Sequence, residues 1–191
     1  MAFTQSAFHT SFDRTVGHED VFSDDPNDNG NWTGGKKGKG ELKGTKYGIS
    51  AKFYYNSKWF EICHRTDIKD LSLNQVQIIY FNVYWSPLGI VTDQSSAFYY
   101  QYFDAAVNHG VSGANRILQR AVNVEDDGVI GPVTLGAVEE NPVDELPFMF
   151  ISERMVTHGK SATWRHHGGG WNNRNAQNLL YAIVDVRPLR D

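Results

Sequence analysis

Glu19, Asp28 and Thr33 place two carboxyls and a hydroxyl close together in sequence. Asp28 follows Glu19 by nine residues, and Thr33 follows Asp28 by five. Two carboxyls beside a hydroxyl suit cleavage of a sugar–sugar bond. One carboxyl must stay protonated to donate to the leaving oxygen. The other must stay ionised to activate water or hold developing positive charge. Glu19 ends the apolar-periodic segment FTQSAFHTSFDRTVGHE and opens the acidic, turn-rich DVFSDDPNDNGNW.

The elements that must position these residues follow from periodicity. Phe8, Phe12 and Val16 recur every four residues and Glu19 comes three later, so all four share one helical face. A carboxyl closing an apolar stripe loses solvent, which raises its pKa. Residues 20–33 carry Asp24, Asp25, Pro26, Asn27, Asp28, Asn29 and Gly30, the chemistry of turns and a short hairpin. Residues 34–46, GGKKGKGELKGTK, read as a mobile basic loop. Gly30 to Lys36 fits the start of a phosphate loop. Lys37 stands where a Ser or Thr should bind magnesium, and no apolar strand precedes it, so that reading is rejected.

Ser72-Leu73-Asn74-Gln75 is a capping box, with Val76, Ile79, Tyr80 and Val83 along its helix. A further helix is expected from Ser95 to Asn108, with Phe98, Tyr102, Ala105 and Ala106 on one side. Others are expected at 112–122, 132–140, 143–158 and 172–186. The pattern predicts a mostly α (α+β) fold with a small β excursion near residues 20–50. At 191 residues the chain fits one domain or one domain with a small lobe.

Composition excludes several classes. Cys63 is the single cysteine, so no intrachain disulfide forms. A net charge of -4 argues against a nucleic-acid partner. No apolar stretch is long enough to span a membrane, and the N-terminal segment lacks the pattern of a signal peptide. His158, His166, His167, Cys63 and His64 lack zinc-ligand spacing, so no metal and no cofactor is expected. Trp 5, Tyr 9 and Phe 11 exceed what a core of this size needs, and the surplus suits sugar rings.

These residues resemble a known family. HEDVFSDDPNDNGNWTGG and GTKYGIS at 44–50 resemble the N-terminal signature of glycoside hydrolase family 108, lysozyme-like N-acetylmuramidases of phage endolysins and bacterial secretion systems. Tyr80 with Tyr84-Trp85, Phe103-Asp104-Ala105-Ala106-Val107-Asn108 and Gly170-Trp171-Asn172-Asn173-Arg174 resemble its later motifs in order. Leu118-Gln119-Arg120-Ala121 and Asp127-Gly128-Val129-Ile130-Gly131-Pro132-Val133-Thr134 resemble its C-terminal peptidoglycan-binding region. The resemblance implies a lysozyme-like helical fold, with residues 1–100 a catalytic region and 101–191 a helical peptidoglycan-binding-like region packed with it as one compact domain.

By the same resemblance Glu19 is the catalytic acid and Asp28 its partner. Thr45, just before Lys46-Tyr47-Gly48-Ile49, matches the family's hydroxyl position, and Thr33 remains the alternative. Tyr47, Asn108 and Trp85 are the candidate substrate contacts, although Trp85 and Trp171 also suit the core, and Asn108 also suits a helix end. Asp20-Val21 departs from the Gly-Gly that follows the Glu in the family, so the chain after Glu19 turns under tighter steric limits.

The expected activity is hydrolysis of bacterial peptidoglycan at the N-acetylmuramic acid–N-acetylglucosamine β-1,4 bond. A lytic transglycosylase and a non-catalytic wall-binding protein are the alternatives. The expected setting is a monomer made in a cytoplasm and acting on the wall, released by a holin or a dedicated export route.

Overall fold

The computed structural model describes residues 2–16, 22–89 and 95–187. The chain is mostly α, with a small three-stranded sheet between Phe22 and Ser50, and it has the lysozyme-like helical character that the resemblance implied. No helix among the described residues is long and apolar enough to cross a membrane. Contacts divide the chain into two compact units. One comprises Phe12–Val83, and the other comprises the residues up to Ser11 together with those from Tyr84 onward.

Helix α1, Ala2–Thr15, forms as its apolar spacing predicts. Phe8 and Phe12 are buried, and the Val16 amide still donates to the Phe12 carbonyl at 2.8 Å. The expected continuation of this face to Glu19 lies outside the described residues.

In the unit Phe12–Val83, strands β1 (Phe22–Ser23), β2 (Thr45–Lys46) and β3 (Ile49–Ser50) pair antiparallel in sequence order. Thr45 lies opposite both Ser23 and Ser50. Tyr47 and Gly48 form the two-residue turn between β2 and β3, both at positive φ, 49° and 75°. That is the type I′ geometry that matches strand twist. Tyr47 adopts it against its side chain's steric preference. The Tyr80 hydroxyl holds the turn by donating to the Tyr47 carbonyl at 2.8 Å.

The segment 34–46, read above as a mobile loop, is strapped down, and its last two residues form β2. The Thr33 amide donates to the Glu41 carbonyl, Gly34 to Lys39, and Lys39 to Lys36. The Lys37 amide reaches Asn29 Oδ1 at 2.9 Å, and its ammonium reaches Asn27 Oδ1 at 2.7 Å. Composition shows glycines and lysines; it does not show that the glycines let the backbone bond to itself.

Short helices α2 (Ala51–Tyr55) and α3 (Trp59–Ile62), which periodicity did not single out, follow the sheet. Helix α4, Leu73–Tyr80, carries both bonds of the predicted capping box. Residues Phe81–Trp85 then continue as a π-helical turn. The wider turn shifts the buried line. Val83, expected on the core face, is half-buried, and Trp85 takes the buried place. Phe12 meets Tyr80 edge-on at 5.4 Å in this unit's core, with Tyr54, Ile68, Leu71 and Val76.

The second unit is built around α5, Ser96–His109, capped by Ser95. Every residue from Ala97 to Ala106 is buried. A helix covered on all faces is the centre of its unit. Helices α6 (Val111–Ala121), α8 (Leu146–Gly159) and α9 (Trp164–Val186) pack on it, and α7 (Pro132–Glu139) starts with proline at its first turn. Sequence placed the start of α9 near residue 172. The helix instead runs from Trp164 through Gly168-Gly169-Gly170.

Candidate functional site

Asp28 caps the 3-10 turn Asn29–Asn31, its Oδ1 accepting from the Gly30 amide at 2.8 Å. This is the Asx turn that P-N-D-N-G encodes. The side chain is exposed. A Cβ built on Gly30 would stand 3.2 Å from Asp28 Oδ1 and 3.4 Å from Ser50 Cβ. The Asp28 carboxylate therefore neighbours Ser50, whose cross-strand partner is Thr45. Directly paired residues project to the same face of a sheet. The structure thus brings Asp28, Ser50 and Thr45 into one neighbourhood, with half-buried Tyr47 at the hairpin tip two residues on from Thr45.

Thr33 has a different job. Its hydroxyl accepts from the Glu41 amide at 2.9 Å, and its carbonyl accepts from Asn56 Nδ2 at 2.8 Å. It pins the strapped loop. Glu19 lies outside the described residues, as do His18, Asp20 and Val21.

The lysines near the site are partly committed. Lys43 lies 3.3 Å from Asp67 and 3.4 Å from Glu41, and Lys46 donates to the Lys69 carbonyl at 2.7 Å. Bonding to Asp67 is the main cause that raises the Lys43 pKa above its ordinary value.

Two other candidates lie in the second unit. Trp85 is 8% exposed and packs against Phe8, Phe103 and Tyr99 with ring centres 5.5–5.7 Å apart. It offers no open face to a sugar. Asn108 is exposed on the last turn of α5, and its amide donates back to the Asp104 carbonyl at 2.6 Å.

Sequence reasoning missed the polar centre of this unit. Asp104 is buried and accepts from Arg154 Nη1 at 2.6 Å, from Arg174 Nη2 at 2.5 Å and from Asn178 Nδ2 at 3.0 Å. Burial alone would raise the Asp104 pKa. Arg154 and Arg174 more than reverse it, and the carboxyl sits well below the ordinary range. A signal was present: an Asp inside the apolar run Phe103-Asp104-Ala105-Ala106 needs a buried cation.

Beside Arg154, His109 and His158 meet Nε2 to Nε2 at 3.1 Å. Arg154 Nε faces His109 Nε2 at 3.4 Å, and arginine can only donate. His109 Nε2 is then the acceptor and His158 Nε2 the donor. His158 Nδ1 must accept, which sets Asn175 Nδ2, 3.0 Å away, as its donor. Burial first, and the Arg154 charge second, lower both imidazoles to about 4. Among the described residues no group of three His, Cys, Asp or Glu side chains could hold a metal ion.

The loop that precedes α7 is fixed from α6. Gln119 Nε2 donates to Asp127 Oδ1 at 2.6 Å and to the Val129 carbonyl at 3.0 Å, and Gln119 Oε1 accepts from the Gly128 amide at 2.7 Å.

No curated protein matches the chain. Among solved structures, that of Brucella abortus SagA is similar, with 23% sequence identity, a TM-score of 0.72, and coverage of 97% of this chain and 98% of that one. That likeness establishes the fold. The family model of Glycosyl hydrolase 108 matches residues 12–110, which hold Asp28, Thr45 and Tyr47, and the chain belongs to that glycoside hydrolase family.

Proposed function

We propose that this protein hydrolyses bacterial peptidoglycan at the β-1,4 bond between N-acetylmuramic acid and N-acetylglucosamine. Glu19 donates the proton to the glycosidic oxygen. Asp28 activates water on the opposite face of the ring or holds the positive charge at the anomeric carbon, with the Thr45 hydroxyl orienting that water. Tyr47 lines the groove, and Asn108 remains a candidate contact.

The observation that carries this reading is the Asp28 neighbourhood in a chain of this family. One Asp28 oxygen is fixed by a backbone amide, so the carboxylate is aimed while its charge stays at the surface. A hydroxyl-bearing strand pair lies beside it. Thr33 is occupied in the loop, which supports Thr45 as the hydroxyl partner. Trp85 leaves the proposal because its faces are covered.

Incubation with purified sacculi tests the reading. Reducing muramic ends among the products are expected. Anhydro-muramic ends would assign a lytic transglycosylase instead. Binding to sacculi without release of either end would make the protein a wall-binding module. The same proposal places the action at the wall, reached through a holin-type lesion or an export route by a monomeric protein.

A further inference from the structure

The lysines in and beside the strapped loop fall into two groups. Lys43 and Lys46 are committed to Asp67, Glu41 and the Lys69 carbonyl. Lys36, Lys37, Lys39 and Lys52 are exposed, and among the described residues none of them pairs with a carboxylate.

The fold gathers these four at one corner. Gly34 and Gly35 lack side chains where two lysine stems pass. A Cβ built on Gly34 would stand 2.6 Å from Lys39 Cγ, and one built on Gly35 would stand 2.5 Å from Lys52 Cδ and 2.8 Å from its Cε. Lys39 and Lys52 therefore lie along adjacent residues, with Lys36 next in the chain. The Lys39 amide closes the corner by donating to the Lys36 carbonyl at 2.9 Å. Like charges held together without a counter-ion cost electrostatic energy, which an arriving anion removes. Because the loop is already strapped, the anion does not have to order it.

Lys37 ties this corner to the candidate site. Its amide donates to Asn29 Oδ1 and its ammonium to Asn27 Oδ1, so it grips both neighbours of Asp28. Exposed Asp24 and Asp25 belong to the same turn and repel a continuous polyanion. A short branch with isolated carboxylates need not lie along those acids. A glycan strand with a sugar at Asp28 carries such a branch, the peptide stem of its N-acetylmuramic acid. We propose that the corner formed by Lys36, Lys39 and Lys52 reads this stem by pairing with its free carboxylates, so that the protein prefers strands whose stems are charged. This inference rests on the peptidoglycan reading, and it adds a specificity that the Asp28 neighbourhood alone does not supply.

The test compares sacculi with the same sacculi after their peptide carboxyls are converted to amides by carbodiimide and ammonia. Release of reducing ends gives kcat/KM, and sedimentation of a Glu19→Gln protein gives binding without cleavage. On untreated sacculi, Lys36→Gln/Lys39→Gln lowers kcat/KM about three- to tenfold, through KM, and weakens sedimentation by a similar factor. On amidated sacculi the double variant matches its parent. Lys36→Arg/Lys39→Arg keeps the parent's preference, and about 1 M salt narrows the difference. An equal loss on both substrates, or no loss on either, overturns the stem reading. A loss that survives amidation but vanishes after wall phosphate polymers are stripped with hydrofluoric acid makes the anion a phosphate and also overturns it. Lysine-independent release of reducing ends leaves the hydrolase reading standing alone. Lysine-dependent sedimentation with no release by the unmodified protein leaves the stem reading and overturns the hydrolase.

Discussion

Asp104 and Arg154 form an ion pair at 2.6 Å in which each side chain is 1% exposed. Removing one partner leaves the other charged and out of water. Asp104→Ala should therefore destabilise the protein by about 3–5 kcal/mol. Equilibrium urea unfolding measures this, and a loss below about 1 kcal/mol would show that water or a neighbour replaces the carboxylate.

The histidine pair gives stability a defined acid limb. His109 and His158 titrate near 4 in the folded protein and near 6.5 when unfolded. The unfolded chain therefore takes up protons first as pH falls. Stability conferred by the neutral imidazoles is full above about pH 6.5 and is lost progressively toward pH 4. Together the two contacting imidazoles account for on the order of 3 kcal/mol over that window. The Asp104 contribution fades only at lower pH. Thermal melts from pH 7 to 4 should show a falling midpoint, with a shallower slope in His158→Gln. An unchanged slope would place the sensitivity elsewhere.

Asp28→Asn separates shape from charge. The amide oxygen still accepts from Gly30, so the turn persists, but the base is gone. Turnover should fall by about 10²–10⁴ with the melting temperature nearly unchanged. Glu19→Gln should fall at least as far, because the proton donor is removed. Activity of Asp28→Asn within about twofold of the parent would exclude the water-activating role.

Thr45 and Thr33 should part company. Thr45→Val is expected to lower turnover with little effect on stability. Thr33→Val strands the Glu41 amide and should cost about 1 kcal/mol of stability while turnover persists. The reverse pattern would move the hydroxyl partner to Thr33.

Tyr47 holds φ 49°, a conformation that its side chain opposes. Tyr47→Asn relieves the strain and should raise stability by about 1 kcal/mol. If the ring lines the groove, the same change raises KM. A variant that is more stable and equally active would make Tyr47 a turn residue only.

The elements legible in sequence were those that local rules encode. Ser72 and Gln75 announced α4, and Phe8 with Phe12 announced α1. The Asp28 turn was readable because Asx chemistry is local. Three features escaped. The π turn at Phe81–Trp85 moved the buried place from Val83 to Trp85, which no periodicity of 3.6 anticipates. Helix α9 crosses three glycines, one of them against the Trp164 ring, a contact invisible in composition. The Asp104–Arg154–Arg174 centre joins residues from α5, α8 and α9, far apart in sequence. Such pairing depends on tertiary packing, and only the isolated Asp in an apolar run hinted at it.

The complete burial of α5 from Ala97 to Ala106 also sets how this unit can breathe. A helix with no solvent-facing side cannot fray outward, so its central amides exchange hydrogen only when the whole unit opens. Their exchange rates therefore read the global free energy of that unit directly, whereas the first turns of α9, weakened by Gly168-Gly169-Gly170, exchange through local opening and report only on themselves.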